Sequence, residues 1–427
     1  MTAVKWRAAV ASLALFVVAC SGDSDGGNEG ATGSASQASS PGITDETLRL
    51  GVVLLDLSTL EPLGMGLDNF EVETQQEAFE VFIDAINDDG GVGGRTVEPV
   101  YVVNDPLNAD AARAGCLELT EDEDVFAVVG FVTDAAECIA VEHETPLLFH
   151  TSDLDSLYRS SSNRLVGPGA SLERTAAGWA AVMEQTGDLA GRTLGIVAVD
   201  DGASEQLPAD ALQSTLEQLG HAVGYRAHLP GTADAAAIAL EVPRMRDAGV
   251  DTVFLSTNFA TAGQFVQVSE QQGFTPQYLT SEIGTLANDG LVQRMPASFD
   301  GALAVTSTVG GPVAARSGQR AQEAFSECLD RYNDATGSDL AWGVEHALGG
   351  VCSMMTIFEA AATAVEDDLS QVTFVDAVQQ LGDIELPGRH GGSFAPGKTD
   401  YADVFSVLRW SIDCACYEAF GDPVAVG

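Results

Sequence analysis

The chain has 427 residues, 45% of them hydrophobic, which supplies more core than one typical domain uses and makes two lobes the starting expectation. Asp and Glu number 63 against 19 Lys and Arg, a formal net charge of −44. Such a surface repels nucleic acid and anionic headgroups, so neither is expected as a direct partner.

The first twenty residues read as an export signal. Lys5 and Arg7 give a short positive segment, and Ala8 to Val18 form an apolar run too short to span a bilayer. The run ends in Val17-Val18-Ala19-Cys20, which resembles a bacterial lipobox. That resemblance implies lipidation of Cys20, and two or three acyl chains hold a protein stably at a membrane. Residues 21–42 are mostly Gly, Ser, Asp and Ala without a large apolar side chain, as expected of a flexible linker. The chain is therefore expected outside the cytoplasm, tethered to the outer face of the cytoplasmic membrane.

From residue 48 short apolar runs alternate with helical patterns. Leu48–Leu57 is near-continuously apolar, the mark of a parallel strand covered on both faces. Thr74–Asn87 reads as a helix opened by a Thr74/Glu77 capping box, with Phe79, Phe82, Ile83 and Ile86 on one stripe. Strand Val97–Val103, helix Asp110–Leu119, strand Val125–Val129, a short helix from Asp134 and strand Pro146–Phe149 follow. A second series of the same kind starts after Pro168: helices over Ser171–Gln185, Pro208–Leu219, Ala235–Ala248 and Ala262–Gln272 alternate with strands Thr193–Val199, Val223–Leu229, Thr252–Leu255 and Tyr278–Thr280. The remainder predicts strand Ala302–Thr306, helices Ala321–Asn333, Trp342–Val365 and Val372–Leu381, a Gly-rich stretch Pro387–Gly397, and a strand Tyr401–Trp410. Repeated strand–helix alternation argues for doubly wound parallel sheets of the α/β class.

Six cysteines follow Cys20, an even number in a chain read as exported, which suggests three disulfides. Their order favours Cys116 with Cys138 and Cys328 with Cys352, each closing a loop worth about 3 kcal/mol of chain entropy. Cys414 and Cys416 then form a tight bridge or pair elsewhere. No Cys-x2-Cys pair or histidine spacing points to a metal, and no motif points to a cofactor.

The run Ile86-Asn87-Asp88-Asp89-Gly90-Gly91-Val92-Gly93-Gly94-Arg95 resembles the glycine-rich turn of type I periplasmic binding proteins, in the leucine/isoleucine/valine-binding branch of ABC-transporter receptors. Asn104-Asp105, Val128-Val129-Gly130 and Pro146-Leu147-Leu148 fit the same pattern, and the likeness covers about residues 43–415. It implies two Rossmann-like lobes joined by three crossovers, here 43–165 plus 301–385 and 166–300 plus 386–427, closing on a ligand at the strands' carboxyl ends.

What the resemblance implies about the site is carried position by position. Thr133 matches a hydroxyl that meets a ligand carboxylate, while Asp134 beside it serves as ligand contact or as helix N-cap. Thr151 and Ser152 after the fourth strand offer hydrogen bonds. In the second lobe Ser204, Asn258 and Phe259 fall near expected contacts, and Glu282 stands where relatives bind an ammonium. A small polar ligand, amino-acid-like or amine-bearing, is the expectation, with an ABC permease as partner. A sensory receptor of the same fold, acting on a membrane signalling protein, is the alternative. No nucleophile elbow, zinc-protease helix or phosphate loop is present, so no catalytic residue is assigned and no enzyme is expected.

Overall fold

In Thr47–Leu55 the six residues from Leu50 onward are all buried, which makes this stretch, β1, a strand covered on both faces. The structure, a computed structural model, describes residues 40–59, 69–150, 152–200, 202, 206–232, 234–309, 313, 322–341 and 346–426. The export signal with Cys20, most of the linker, Thr151 and Ser204 lie outside the described residues.

The first sheet is built from β1, β2 (Thr96–Asn104), β3 (Ala127–Gly130), β4 (Leu147–Phe149) and β5 (Leu165–Val166), all parallel, in the order β2-β1-β3-β4-β5. The second repeats that order with β6 (Leu194–Val199), β7 (Val223–Leu229), β8 (Thr252–Ser256), β9 (Gln277–Ser281) and β10 (Leu303–Thr306), running β7-β6-β8-β9-β10. Antiparallel β11 (Val404–Ser411), with β12 (Cys416–Ala419) and β13 (Val424–Ala425) beside it, extends the second sheet. The α/β class and the doubly wound order expected from alternation are both present. Each sheet changes direction of winding beside its first strand, and ligands of open α/β sheets gather at such points.

Helices α1 (Val72–Asp88), α2 (Ala109–Leu117), α3 (Asp155–Ser160), α4 (Leu172–Thr186), α5 (Leu207–Gln218), α6 (Ala235–Asp247), α7 (Phe259–Gln271), α8 (Asp289–Val292), α9 (Glu323–Thr336), α10 (Leu348–Ala364) and α11 (Gln371–Gln380) supply the cover. Helix α1 starts earlier than the expected capping box: Glu71 is its N-cap, and Thr74 sits inside the first turn with its hydroxyl donating to Glu71 (3.2 Å). The reason is Gln75. Its buried amide donates to Leu55 O and Phe70 O (both 2.7 Å) and accepts from Leu55 N (2.8 Å), fixing the entry to α1 against the end of β1. The glycine-rich turn after α1 is structural, closed by Val92 N–H to Arg95 O (2.9 Å) and by the Asn87 amide on Val97.

Two boundaries move. Strand β10, assigned by sequence to the first lobe, pairs with β9 and β11 in the second sheet, so the chain returns to the first sheet only after Thr306. Val166, assigned to the second lobe, pairs with Leu148 in the first. Helix α10 begins at Leu348 instead of Trp342, and residues 342–345 lie outside the described residues. Residues 399–402 do not join the last strand, because their backbone pairs with 167–169 instead: Gly167 N donates to Thr399 O and Tyr401 N to Gly167 O (both 2.9 Å).

That pairing ties together two of the three connections between the sheets. The other join is Val309 N–H to Gly388 O (2.9 Å) and His390 N–H to Ser307 O (3.1 Å). Arg174 of α4 reinforces the first, donating to Asp400 and, at 2.5 Å, to Asp403, while Ser171 N donates to the same Asp400 carboxylate (2.8 Å). Disulfides join Cys116 to Cys138, Cys328 to Cys352 and Cys414 to Cys416, with Cα atoms 6.3, 6.2 and 5.2 Å apart. The second of these links α9 to α10.

Gly130 closes β3 with φ +141°, and a Cβ there would sit 2.2 Å from the Val53 carbonyl oxygen of β1. Gly130→Ala is expected to lose about 1–3 kcal/mol of stability, the usual cost of such backbone strain. In α7, Gly263 has open space to 3.8 Å, so Gly263→Ala is expected to hold or gain stability. Chemical denaturation of both variants reads the difference; equal stability would show that β1 and β3 need no such close approach.

Candidate ligand-binding site

Phe131 directly follows β3, His150 follows β4, and Glu282-Ile283-Gly284-Thr285 follows β9. Each therefore stands at the carboxyl end of a central strand. With Thr306 at the end of β10 they line a cavity of about 560 Å³, inside the ~300–1,000 Å³ range of small-molecule pockets. Gly284 lets the β9 loop turn in at φ +68°, where a Cβ would lie 2.1 Å from Thr257 O. Further walls come from the start of α4 (Leu172, Thr175), from α8 and the residue before it (Leu291, Asn288), from α9 (Phe325, Leu329) and from the start of α10 (Leu348, Gly349, Gly350).

Most of this lining is hydrocarbon. Phe70 and Phe131 pack edge to face at 4.8 Å, and Phe131 packs the same way on His150 at 4.5 Å. Among the described lining residues two carry full charge, Glu282 and Arg389.

The Glu282 carboxylate is held by its own neighbours. Thr306 Oγ1 (3.1 Å), Ser307 N (3.2 Å) and Ser307 Oγ (3.0 and 3.1 Å to its two oxygens) all donate to it. Arg389, on the third connection, donates through Nη1 to Ser307 Oγ (3.2 Å) and Thr308 Oγ1 (3.4 Å) and through Nη2 to His150 O (3.3 Å). One hydroxyl, that of Ser307, thus touches both charges. Burial pushes the Arg389 guanidinium down, and Glu282 opposes that at longer range.

Burial also pushes His150 down to about 3, with the nearby Arg389 charge acting in the same direction. Burial and the same guanidinium bring His390, whose Nε2 lies 2.8 Å from Ser406 Oγ, down to about 4. Burial lowers His346 too, against the pull of Glu77 and Glu71, and its Nδ1 accepts from Leu348 N at the start of α10 (2.9 Å).

Of the residues singled out by sequence, Ser152 and Glu282 line the cavity. Thr133 and Asp134 lie outside its lining: the Thr133 hydroxyl is buried without a hydrogen-bond partner among the described residues, and Asp134 is exposed at φ +53°. Asn258 is the N-cap of α7, accepting from Thr261 N and donating to Gly231 O (both 2.9 Å), and that double engagement keeps its amide off the cavity. Phe259 packs against the core of the second sheet. Arg389, His150, Phe70 and the Thr306–Thr308 hydroxyls were missed. For Arg389 a signal existed: a lone basic residue within the Gly-rich stretch of a chain that has few.

Residues 66–407 match the family model described as periplasmic binding protein. The chain belongs to that family. Among solved structures, this periplasmic binding protein is similar to a solute-binding protein of an ABC transporter from Rhodopseudomonas palustris HaA2 in complex with p-hydroxybenzoic acid, at 15% identity and TM-score 0.67, covering 89% of this chain and 98% of that one. It is similar to an ABC-transporter substrate-binding protein from Desulfitobacterium hafniense in complex with Leu, at 15% identity and TM-score 0.65, over 88% and 100% of the two chains. A fatty acid ABC-transporter substrate-binding protein from Thermomonospora curvata shares 18% identity at TM-score 0.61, over 91% and 93%. Comparison with curated protein sequences found no match. The fold is that of type I periplasmic binding proteins.

Because His150 and His390 stay neutral when folded, the unfolded chain alone takes up their protons as pH falls below 6.5, until about 3 and about 4 respectively. Their contribution to stability is thus intact above pH 6.5 and declines below it. His390→Gln, which keeps a partner for Ser406, is expected to flatten the loss of melting temperature between pH 6.5 and 4.5. An unchanged slope would assign that loss to other groups.

Proposed function

We propose that the protein is an extracytoplasmic solute receptor that captures a small organic ligand between its two sheets and delivers it to an ABC-type permease. The observation that carries this reading is the cavity, lined jointly by the strand ends of both sheets and by the connections between them. A ligand seated there touches both halves at once, so binding favours their closure. Family membership supports the assignment, and the solved relatives named above hold leucine or p-hydroxybenzoic acid or are named for fatty acid. The Glu282 oxygens, expected to meet an ammonium, already accept from Thr306 and Ser307.

A melting-temperature screen of the protein against amino acids, amines, sugars and small carboxylates tests the reading. A ligand at a hundredfold excess over its Kd is expected to add about 2.7 kcal/mol of stability. A screen in which no class raises the melting temperature would remove the receptor assignment.

We also propose that Cys20 carries the lipid that holds the receptor at the outer face of the cytoplasmic membrane, with residues 21–42 as tether. The support is the Val17-Val18-Ala19-Cys20 run placed directly before that polar stretch. Cys20→Ser is expected to move the protein from the membrane to the soluble fraction on cell fractionation. Continued membrane retention would refute the anchor.

A further inference from the structure

Arg389 is largely buried at the cavity wall, yet its three hydrogen-bond acceptors are neutral: two hydroxyls and one carbonyl. Among the described residues no carboxylate forms an ion pair with it, and its Nε and one Nη2 hydrogen have no protein acceptor. A buried charge in that condition is costly, and an anionic acceptor relieves the cost. Beside it the His150 side chain is neutral, and its buried Nδ1 has no partner among the described residues. Arg389 and His150 both line the cavity, so a guanidinium and an imidazole there have unmet hydrogen-bonding capacity.

The acidic side of the cavity is in the opposite condition. Glu282 accepts from one backbone N–H and two hydroxyls at the end of the neighbouring strand β10, and one of those hydroxyls also receives Arg389 Nη1. Glu282 therefore holds Ser307 in place under the guanidinium and offsets part of its charge from a distance. Beyond these groups the walls are mostly hydrocarbon, among them Phe70, Phe131, Leu172 and Ile283, with the polar side chains of Ser152, Thr285 and Asn288 between them.

We infer that the ligand is a monocarboxylate with an aryl or alkyl body, its carboxylate held by Arg389 and its body packed against Phe70 and Phe131. The inference rests on the receptor reading and names the ligand class for that same site. Guanidinium and carboxylate match as a planar two-point pair, which fixes the head group. The hydrocarbon walls then reward apolar area, about 25 cal/mol per Å² removed from water. A zwitterion is disfavoured, because its ammonium would share the Glu282 carboxylate with the Thr306 and Ser307 donors already on it.

Four probes with one body and different head groups decide it on the unaltered protein: 3-phenylpropionate, 3-phenylpropylamine, phenylalanine and 3-phenylpropanol, with octanoate as a second body. Calorimetry is expected to show 3-phenylpropionate or octanoate binding at least tenfold more tightly than the amine, the zwitterion and the alcohol. Arg389→Gln is expected to weaken the carboxylate at least tenfold, Arg389→Lys less, and Glu282→Gln, which removes the opposing charge, to strengthen it. Tighter binding of phenylalanine or the amine, lost in Glu282→Gln, would overturn the ligand class and leave the receptor standing. Equal binding of acid and alcohol would remove Arg389 as anchor. Failure of these probes alongside a sugar or other uncharged binder would likewise overturn the class, whereas silence of every class would overturn the receptor itself.

Discussion

The two sheets are held in register by stretches of chain bonded to one another more than to either sheet. Gly167 pairs with Thr399 and Tyr401, while Ser307 and Val309 pair with His390 and Gly388, so the connecting segments form one small hydrogen-bonded web. Arg174 with Asp400 and Asp403 braces one end of it. Arg389 braces the other, reaching from the third connection to Ser307 and Thr308 on the second and to the carbonyl of His150 beyond β4. The same guanidinium is both a strut of the web and the charge that faces the cavity. Removing it is a change to the hinge as well as to the site, which is why head-group discrimination on the unaltered protein carries the decisive test.

Electrostatics act at two ranges here. At long range a chain of net charge −44 repels anions, but exposed charges are screened beyond about 8–10 Å at physiological salt. At short range the cavity presents one under-compensated cation in a mostly apolar surround, where a single pair is worth more than at the surface. The acidic exterior thus governs solubility and encounter, and Arg389 governs what stays bound.

Much of the fold was legible in the sequence because it depends on repeating patterns. Apolar stripes on α1, α4 and α5 and unbroken apolar runs in β1 and β8 mark elements whose burial needs no distant information. What failed was membership. Strand β10 looks the same in sequence whichever sheet it joins, and only its pairing with β9 and β11 decides that. The same limit applied to the site. Asn258 and Thr133 stand out for their chemistry, but Asn258 caps α7 and Thr133 lies outside the cavity lining. Arg389 sits in a connection with no periodicity, and its role arises from three acceptors on separate parts of the chain.

The arrangement also explains how binding can be felt at the hinge without a relay. In a two-state receptor a ligand shifts the equilibrium only by the difference between its affinities for the two states. Here the head-group anchor is itself part of the connecting web, so any change in the angle between the sheets moves Arg389 relative to Phe131 and Leu172 on either side. A carboxylate on the guanidinium and a body against those side chains are satisfied together in one relative placement of the halves. Closure and recognition are then the same event, and an apolar molecule lacking the anion, or an anion lacking the body, secures only one half of it.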